Sequence, residues 1–212
     1  MQGRKGNLIW QDGNLLSPGR ILPGDRVYNG KRVWEPKRSK VAALCHLGFE
    51  PPLDNTRVLY LGAAAGTTVS FVADYAEVVY AIEFAYRPVR NLVRLANQRS
   101  NIIPFFQDAR YPERYTPFVE VVDVLIQDIA QRDQAEIAIK NLFMLKNGGL
   151  LILFLKMLSM GVQKEKNELI ENVCSLLLDA GVGNIEVIEI GTYHTGHVGI
   201  IGIYSSKKNY EK

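Results

Sequence analysis

Residues 57–68 read Arg-Val-Leu-Tyr-Leu-Gly-Ala-Ala-Ala-Gly-Thr-Thr, and the fold follows from how this stretch is read. The unbroken apolar run Val58 to Leu61 fits a strand buried on both faces, because a half-buried strand would alternate. Gly62 and Gly66, with three alanines between them, make a turn that lets backbone approach a ligand closely. Thr67 to Tyr75 then reads as a helix whose first N–H groups face that turn. Strand, glycine turn and helix in this order open a ligand-binding α/β unit.

The pattern repeats outward along the chain. Val78 to Ile82, Ile102 to Phe106 and Val121 to Ile126 read as further strands. A helix over Pro88 to Arg99 separates the first two, with Pro88 suited to its first turn. Gln134 to Leu145 reads as a helix, and Leu150 to Leu155 as a fifth strand that Gly148-Gly149 closes off from it. Lys164 to Ala180 is a long amphipathic helix, followed by strands Ile185 to Ile190 and His197 to Tyr204. A short polar turn joins these last two, so they pair antiparallel. Near-continuous Val/Ile/Leu strands separated by helices give an α/β class with a mostly parallel sheet covered on both faces.

The first fifty residues differ. Glycines and prolines cut them into pieces too short for long helices. Leu8 to Trp10, Asn14 to Leu16 and Arg32 to Trp34 read as short strands, and Asn29-Gly30 as a hairpin turn. Ser39 to Leu47 fits a short helix capped by Ser39. Pro51-Pro52 then marks a boundary between a small β-rich domain, 1–52, and a larger domain, 53–212.

Composition bounds the rest. The 212 residues are 47% hydrophobic and 22% charged, enough to bury a core and incompatible with global disorder. The strongest apolar run ends at Lys156, far short of the roughly 20 residues of a membrane span. No apolar segment follows Met1, and two cysteines, Cys45 and Cys174, make no framework. A soluble, intracellular protein is expected. Charge is uneven: residues 1–40 hold nine basic and three acidic side chains, against sixteen and nineteen in the remainder. A basic front on a slightly acidic body points to a polyanionic partner met by one face.

Ligands of open α/β sheets bind at the carboxyl ends of strands. Glu83 ends the second strand, about 20 residues beyond the glycine turn, where an acid holds ribose hydroxyls. Asp108-Ala109 follows the third strand, Asp128-Ile129-Ala130-Gln131 the fourth, and Lys156 the fifth. Three acids and a lysine at successive strand ends mark a crevice with an adenosine side and a reacting side. Surface charges on wet loops are the plainer account. A nicotinamide dinucleotide site would need Gly-x-Gly-x-x-Gly, and Ala64 stands where the second glycine belongs.

These residues carry a resemblance. Tyr60 to Val69, Ala81-Ile-Glu-Phe84, Asn101-Ile-Ile-Pro104, Asp108-Ala-Arg110, Asp123 to Gln131 and Gln134-Ala135 are similar to the fibrillarin family, at collinear spacing from about Asn14 to Tyr204. The Gly/Arg-rich leader of eukaryotic members is missing, so the archaeal form, and a cytoplasmic location, is expected. The resemblance implies S-adenosyl-L-methionine as cofactor on a seven-stranded, Rossmann-like class I methyltransferase sheet behind a small N-terminal β domain. By the same match Gly62 and Ala63 bind the cofactor, and Thr67 and Thr68 line its methionine side. Glu83 and Phe84 take ribose and adenine, Asp108 and Ala109 the adenine edge, and Asp128, Ile129, Ala130 and Gln131 lie beside the sulfonium. The family's catalytic set falls on Lys40, Asp128, Lys156 and His197.

The implied activity is transfer of methyl to the ribose 2′-hydroxyl of rRNA and tRNA, directed by a box C/D guide RNA. A Nop-family scaffold protein and a kink-turn-binding ribosomal-type protein are the implied partners. Two stretches depart from the family. Met157-Leu-Ser-Met-Gly161 follows Lys156 where small and acidic residues are usual, and Tyr193-His194-Thr-Gly196 makes His194 a rival of His197. The histidines and cysteines show no ligand spacing, so no metal is expected. A non-catalytic assembly subunit is the alternative of a different class. Retention of Lys40, Asp128, Lys156 and His197 argues against it.

Overall fold

The computed structural model describes residues 8–157 and 166–206. Five strands form a parallel array: β5 (Arg57–Leu61), β6 (Val78–Glu83), β7 (Ile102–Phe106), β8 (Val122–Gln127) and β9 (Leu145–Lys156). With β10 (Val182–Glu189) and β11 (His197–Tyr204) they make a seven-stranded sheet ordered β10-β11-β9-β8-β5-β6-β7. The last strand, β11, inserts antiparallel between β9 and β10. From β5 the chain winds outward through β6 and β7, then returns to β8 on the other side of β5. The carboxyl ends of β5 and β8 therefore flank the topological switch point, where such sheets open a crevice.

Burial on both faces explains the apolar runs. Val58 and Tyr60 point into one core with Val79, Ala81, Val124, Ile126, Ile152 and Phe154. Leu59 and Leu61 point into the other with Tyr80, Ile82, Leu125, Leu151, Leu153 and Leu155. Helices α2 (Thr67–Val72) and α3 (Tyr86–Ala96) contribute to the first core, and α4 (Gln134–Asn141) and α5 (Lys166–Asp179) to the second.

The N-terminal residues form a four-stranded antiparallel sheet, β1 (Ile9–Gln11), β2 (Asn14–Ser17), β4 (Lys31–Val33) and β3 (Val27–Tyr28) in spatial order. Its hairpins turn at Asp12-Gly13 and Asn29-Gly30, all four at positive φ, the signature of the tight mirror-image turn. Helix α1 (Lys40–His46) follows, with Ser39 Oγ accepting from the Ala42 N–H. Leu15, Trp34 and the α1 apolar residues belong to the first core, so the small sheet shares packing with the large one. Arg32, 1% exposed, lies 3.9 Å over the Phe71 ring. Its guanidinium donates to Asp25 and Asp74 at 2.6 Å each and to the Ser70 hydroxyl at 2.8 Å. Arg99 and Ser17 also donate to Asp74, which closes a buried charge network between the two sheets. A buried cation is tolerated because each donor finds a partner.

Several expected boundaries move. Helix α2 stops at Val72, before Tyr75, and α3 runs from Tyr86 to Ala96, which puts Pro88 within its first turn. Helix α4 ends at Asn141, and a 3₁₀ turn, Leu142–Met144, leads into β9. Gly148-Gly149 does not precede the fifth strand but lies within it. Val122 pairs with Leu145 and Val124 with Leu150, so β9 bulges there, with Gly148 at φ 77°. The start assigned to the long helix at Lys164, and Leu158 to Gly161 beyond Lys156, lie outside the described residues. No helix among the described residues is long and apolar enough to cross a membrane.

Candidate active site

The glycine turn and the end of β8 are locked together. The Asp128 N–H donates to Leu61 O at 2.9 Å, and the Gly62 and Ala63 N–H groups both donate to Ile82 O. Gly62 sits at φ 81°, and a Cβ there would lie 2.4 Å from the Asp128 carbonyl oxygen. The tight approach at Gly62 is thus to the neighbouring strand end, which fixes Asp128 as well as shaping the turn. Gly66 serves the helix packing instead. A Cβ on it would meet Leu95 Cδ2 at 2.5 Å, so its bareness lets α2 start against α3.

A cleft opens at these strand ends. Gly62, Glu83, Phe84, Asp108, Ala109, Asp128, Ile129, Ala130 and Gln131 line it, together with Ala64, Ile82, Gln107, Arg110 and Ile137. Glu83, 7% exposed, is held from two sides, by the glycine turn and by its own loop. One carboxylate oxygen accepts from the Ala64 N–H at 2.9 Å and the other from the Ala85 N–H at 2.7 Å. Each oxygen keeps a second acceptor site, which suits a pair of hydroxyls. Phe84, 53% exposed, presents its ring at the mouth. Arg110 grips Asp108 with Nε at 3.0–3.1 Å and a terminal nitrogen at 2.6 Å, and this pairing holds the Asp108 carboxyl below its ordinary value. Acceptors on one side and Ile82, Ala109, Ile129 and Ile137 between them fit a flat, polar-edged heterocycle joined to a sugar.

Beside the cleft stand the four residues expected to do chemistry. Helix α1 begins with Lys40, whose ammonium donates to both Asp128 carboxylate oxygens, at 2.6 and 2.9 Å. Thr68 Oγ1 donates to Ser39 Oγ at 3.2 Å, fastening the start of α1 to that of α2. Tyr60 lies beneath them; burial first, then the Asp128 carboxylate, pushes its phenol up, while a hydrogen bond with Thr68 opposes this. Lys156 ends β9 directly across the ladder from His197, which begins β11, so both side chains leave the same face of the sheet. Gln134 secures the Lys156 backbone, accepting its N–H at 3.0 Å, and Gln127 in turn donates to Gln134 O at 2.6 Å.

His197 has a defined tautomer. Its Nδ1 lies 2.9 Å from Thr195 O, and a carbonyl only accepts, so Nδ1 carries hydrogen and neutral Nε2 carries the lone pair. Burial holds its pKa below the ordinary value. The Thr195 hydrogen bond opposes this, as does the Asp128 charge, while Lys40 and Lys156 reinforce it. All four residues therefore share one electrostatic neighbourhood. His194 is engaged elsewhere, with Nε2 donating to Pro36 O at 2.8 Å.

Three of the expected cofactor residues stand apart from the cleft walls. Ala63 is buried under the turn, Thr67 is exposed at the start of α2, and Thr68 faces Ser39. Among the wall residues that reading by strand ends passes over, Gln107 and Arg110 flank Asp108 and were within reach of the same logic. Ile137 is not, since it arrives from α4.

The chain matches known proteins closely. The Fibrillarin family model covers residues 13–206. A fibrillarin-like rRNA/tRNA 2′-O-methyltransferase of Methanospirillum hungatei is 65% identical over 97% of this chain and 100% of its own length. Among solved structures, a fibrillarin in complex with Nop5p superposes with a TM-score of 0.84, at 34% identity, over 94% of this chain and 98% of that one. Aeropyrum pernix fibrillarin, with natively bound S-adenosyl-L-methionine, gives 0.78 at 35% identity over 89% of this chain and 88% of that one.

Proposed function

The chain belongs to the fibrillarin family, and from that premise we infer that it is an S-adenosyl-L-methionine-dependent methyltransferase acting on ribose 2′-hydroxyls of rRNA and tRNA. The finer reading is that it works within a box C/D ribonucleoprotein in pre-rRNA and tRNA processing. There a guide RNA selects the nucleotide, and a Nop-family scaffold and a kink-turn-binding ribosomal-type protein hold the assembly together. The archaeal relatives support a cytoplasmic setting for it. The observation that carries the reading is the Lys40–Asp128 pair standing beside a cleft with Glu83 and Asp108 on its walls.

Gly62, Ala64 and residues 83–84, 107–110 and 128–131 are the cofactor's walls in this proposal, with Ala63 beneath the turn and Thr67 and Thr68 at its methionine end. When bound, the cofactor supplies an electrophilic methyl group. The chain's residues have two roles, to align the 2′-oxygen and to dispose of its proton. His197 Nε2 holds the available lone pair and takes the proton. Lys156, its ladder partner, stabilises the oxygen as negative charge grows there. Asp128, fixed by Gly62 below and Lys40 beside it, orients the hydroxyl. The small domain, 1–52, delivers Lys40 to the strand ends of the methyltransferase domain, 53–212.

Transfer of labelled methyl to a guide-paired RNA in the reconstituted particle tests this. Methylation at the guide-specified ribose is expected. Methyl placed on a base, or none with a fully assembled particle, would overturn it.

A further inference from the structure

We infer that His194 is a positioning residue: its imidazole holds the chain leading into Lys40 against the connection that carries His197. The inference rests on the catalytic reading above for its meaning, though not for its test. Residues 34–39 run from β4 to α1 without strand or helix structure, through a turn at Pro36 to Arg38. His194 Nε2 donates to Pro36 O at 2.8 Å, a contact between residues 158 apart in sequence. Four residues after Pro36 comes Lys40.

The other side of the contact is anchored to His197. The His194 N–H donates to Ile190 O at 2.8 Å, and its carbonyl accepts the His197 N–H at 3.2 Å. The two imidazoles lie 6.2 Å apart, edge to face. Tyr193 packs its ring against His46 of α1, and Leu44 of α1 fills the space that a Cβ on Gly199 of β11 would need. One residue thus ties by backbone to the imidazole side of the site and by side chain to the ammonium side.

Acylation of lysines by acetic anhydride, read by mass spectrometry on the full-length protein, tests the tether without requiring turnover. Exposed Lys37 serves as the internal reference. His194→Phe keeps a ring and removes the donor, and His194→Gln keeps a donor. In His194→Phe, acylation of Lys40 relative to Lys37 is expected to rise roughly two- to tenfold, the range that one net hydrogen bond supports. His194→Gln is expected to restore protection. Unchanged Lys40 labelling in folded His194→Phe, or equal labelling in both variants, would overturn the proposal. If the labelling shifts while no RNA is methylated, the tether stands and the catalytic reading falls.

Discussion

The ammonium of Lys40 bridges both carboxylate oxygens of Asp128, at 2.6 and 2.9 Å, across 88 residues of sequence. The pair is half-buried and joins the N-terminal segment to the end of β8. A lysine held this way cannot be replaced without freeing the carboxylate it orients. Lys40→Ala is expected to lower kcat roughly 10²–10³-fold, the usual loss for one preorganised electrostatic contact, while leaving cofactor affinity near its original value. Single-turnover rates and calorimetric titration separate the two effects. A variant that lost cofactor binding instead would assign Lys40 to the cleft.

Gly62 and Gly148 offer a matched comparison. Both have positive φ, 81° and 77°, but a Cβ on Gly62 meets the Asp128 carbonyl, whereas one on Gly148 meets nothing within 4 Å. Gly148→Ala is expected to cost only the backbone strain, about 1–2 kcal/mol, with turnover unchanged. Gly62→Ala is expected to cost more and to reduce turnover in the fraction that folds, because Asp128 must move. Thermal melts and kcat on both variants check this. Equal effects would mean that the glycine turn is only a turn.

Much of this was legible from residues alone. The unbroken runs at 58–61 and 150–155 announce strands covered on both faces, and Glu83, Asp108, Asp128 and Lys156 at successive strand ends announce a crevice. What escaped was mostly long-range, with one local exception. Asp12-Gly13 carried the same turn signal as Asn29-Gly30 and was open to local reading. The burial of Arg32 was not, because its partners Asp25 and Asp74 come from separate elements. Gly148-Gly149 looks like a helix stop because glycine ends helices and bulges strands alike, and only the register against β8 distinguishes them. The insertion of β11 between β9 and β10 is likewise invisible, since an apolar strand does not name its neighbours. Lys40 entered through resemblance; nothing local to Arg38-Ser39-Lys40 says that it meets Asp128.

Glu83 braces the turn, and its proposed contact with ribose is a second role that substitution should expose. It accepts from the Ala64 and Ala85 N–H groups, and both lose their acceptor in Glu83→Ala. A stability loss of about 1–3 kcal/mol is expected from the orphaned donors. Loss of the proposed ribose contact should weaken S-adenosyl-L-methionine binding by about 1–3 kcal/mol as well. Denaturation with and without saturating cofactor distinguishes the two. Stability loss with unchanged cofactor affinity would leave Glu83 as a loop brace alone.

The pH dependence of turnover is expected to report on His197. Burial, reinforced by Lys40 and Lys156, holds its pKa below the ordinary 6.5, so it stays unprotonated to lower pH than a free imidazole. The acid limb of kcat/KM is therefore expected below 6.5. Lys156→Met removes a neighbouring positive charge, which raises the His197 pKa and moves the limb to higher pH. Asp128→Asn removes a negative charge and moves it the other way. Residual activity in each variant, measured across pH, gives the direction. A limb that stays in place in both would show that another group titrates.

The last expectation concerns dependence on partners. A protein gripping a long RNA unaided would neutralise many phosphates, and its affinity would fall steeply with salt. This chain carries a net charge of only +3, with its basic excess in residues 1–40. Within it, residues 8–40 form the small sheet and the start of α1, where Arg32 is buried in an internal network and Lys40 is paired with Asp128. Two of its nine basic groups are thus already spoken for inside the protein. The remainder can orient a nucleotide at the cleft but offer little with which to choose one among many. The isolated protein is therefore expected to bind S-adenosyl-L-methionine and to methylate naked RNA slowly and without site preference. Rate and selectivity should rise together when guide RNA and a Nop-family scaffold are added, as followed by labelled methyl transfer to matched and mismatched targets. Efficient, site-selective methylation by the protein alone would point to a stand-alone RNA methyltransferase instead.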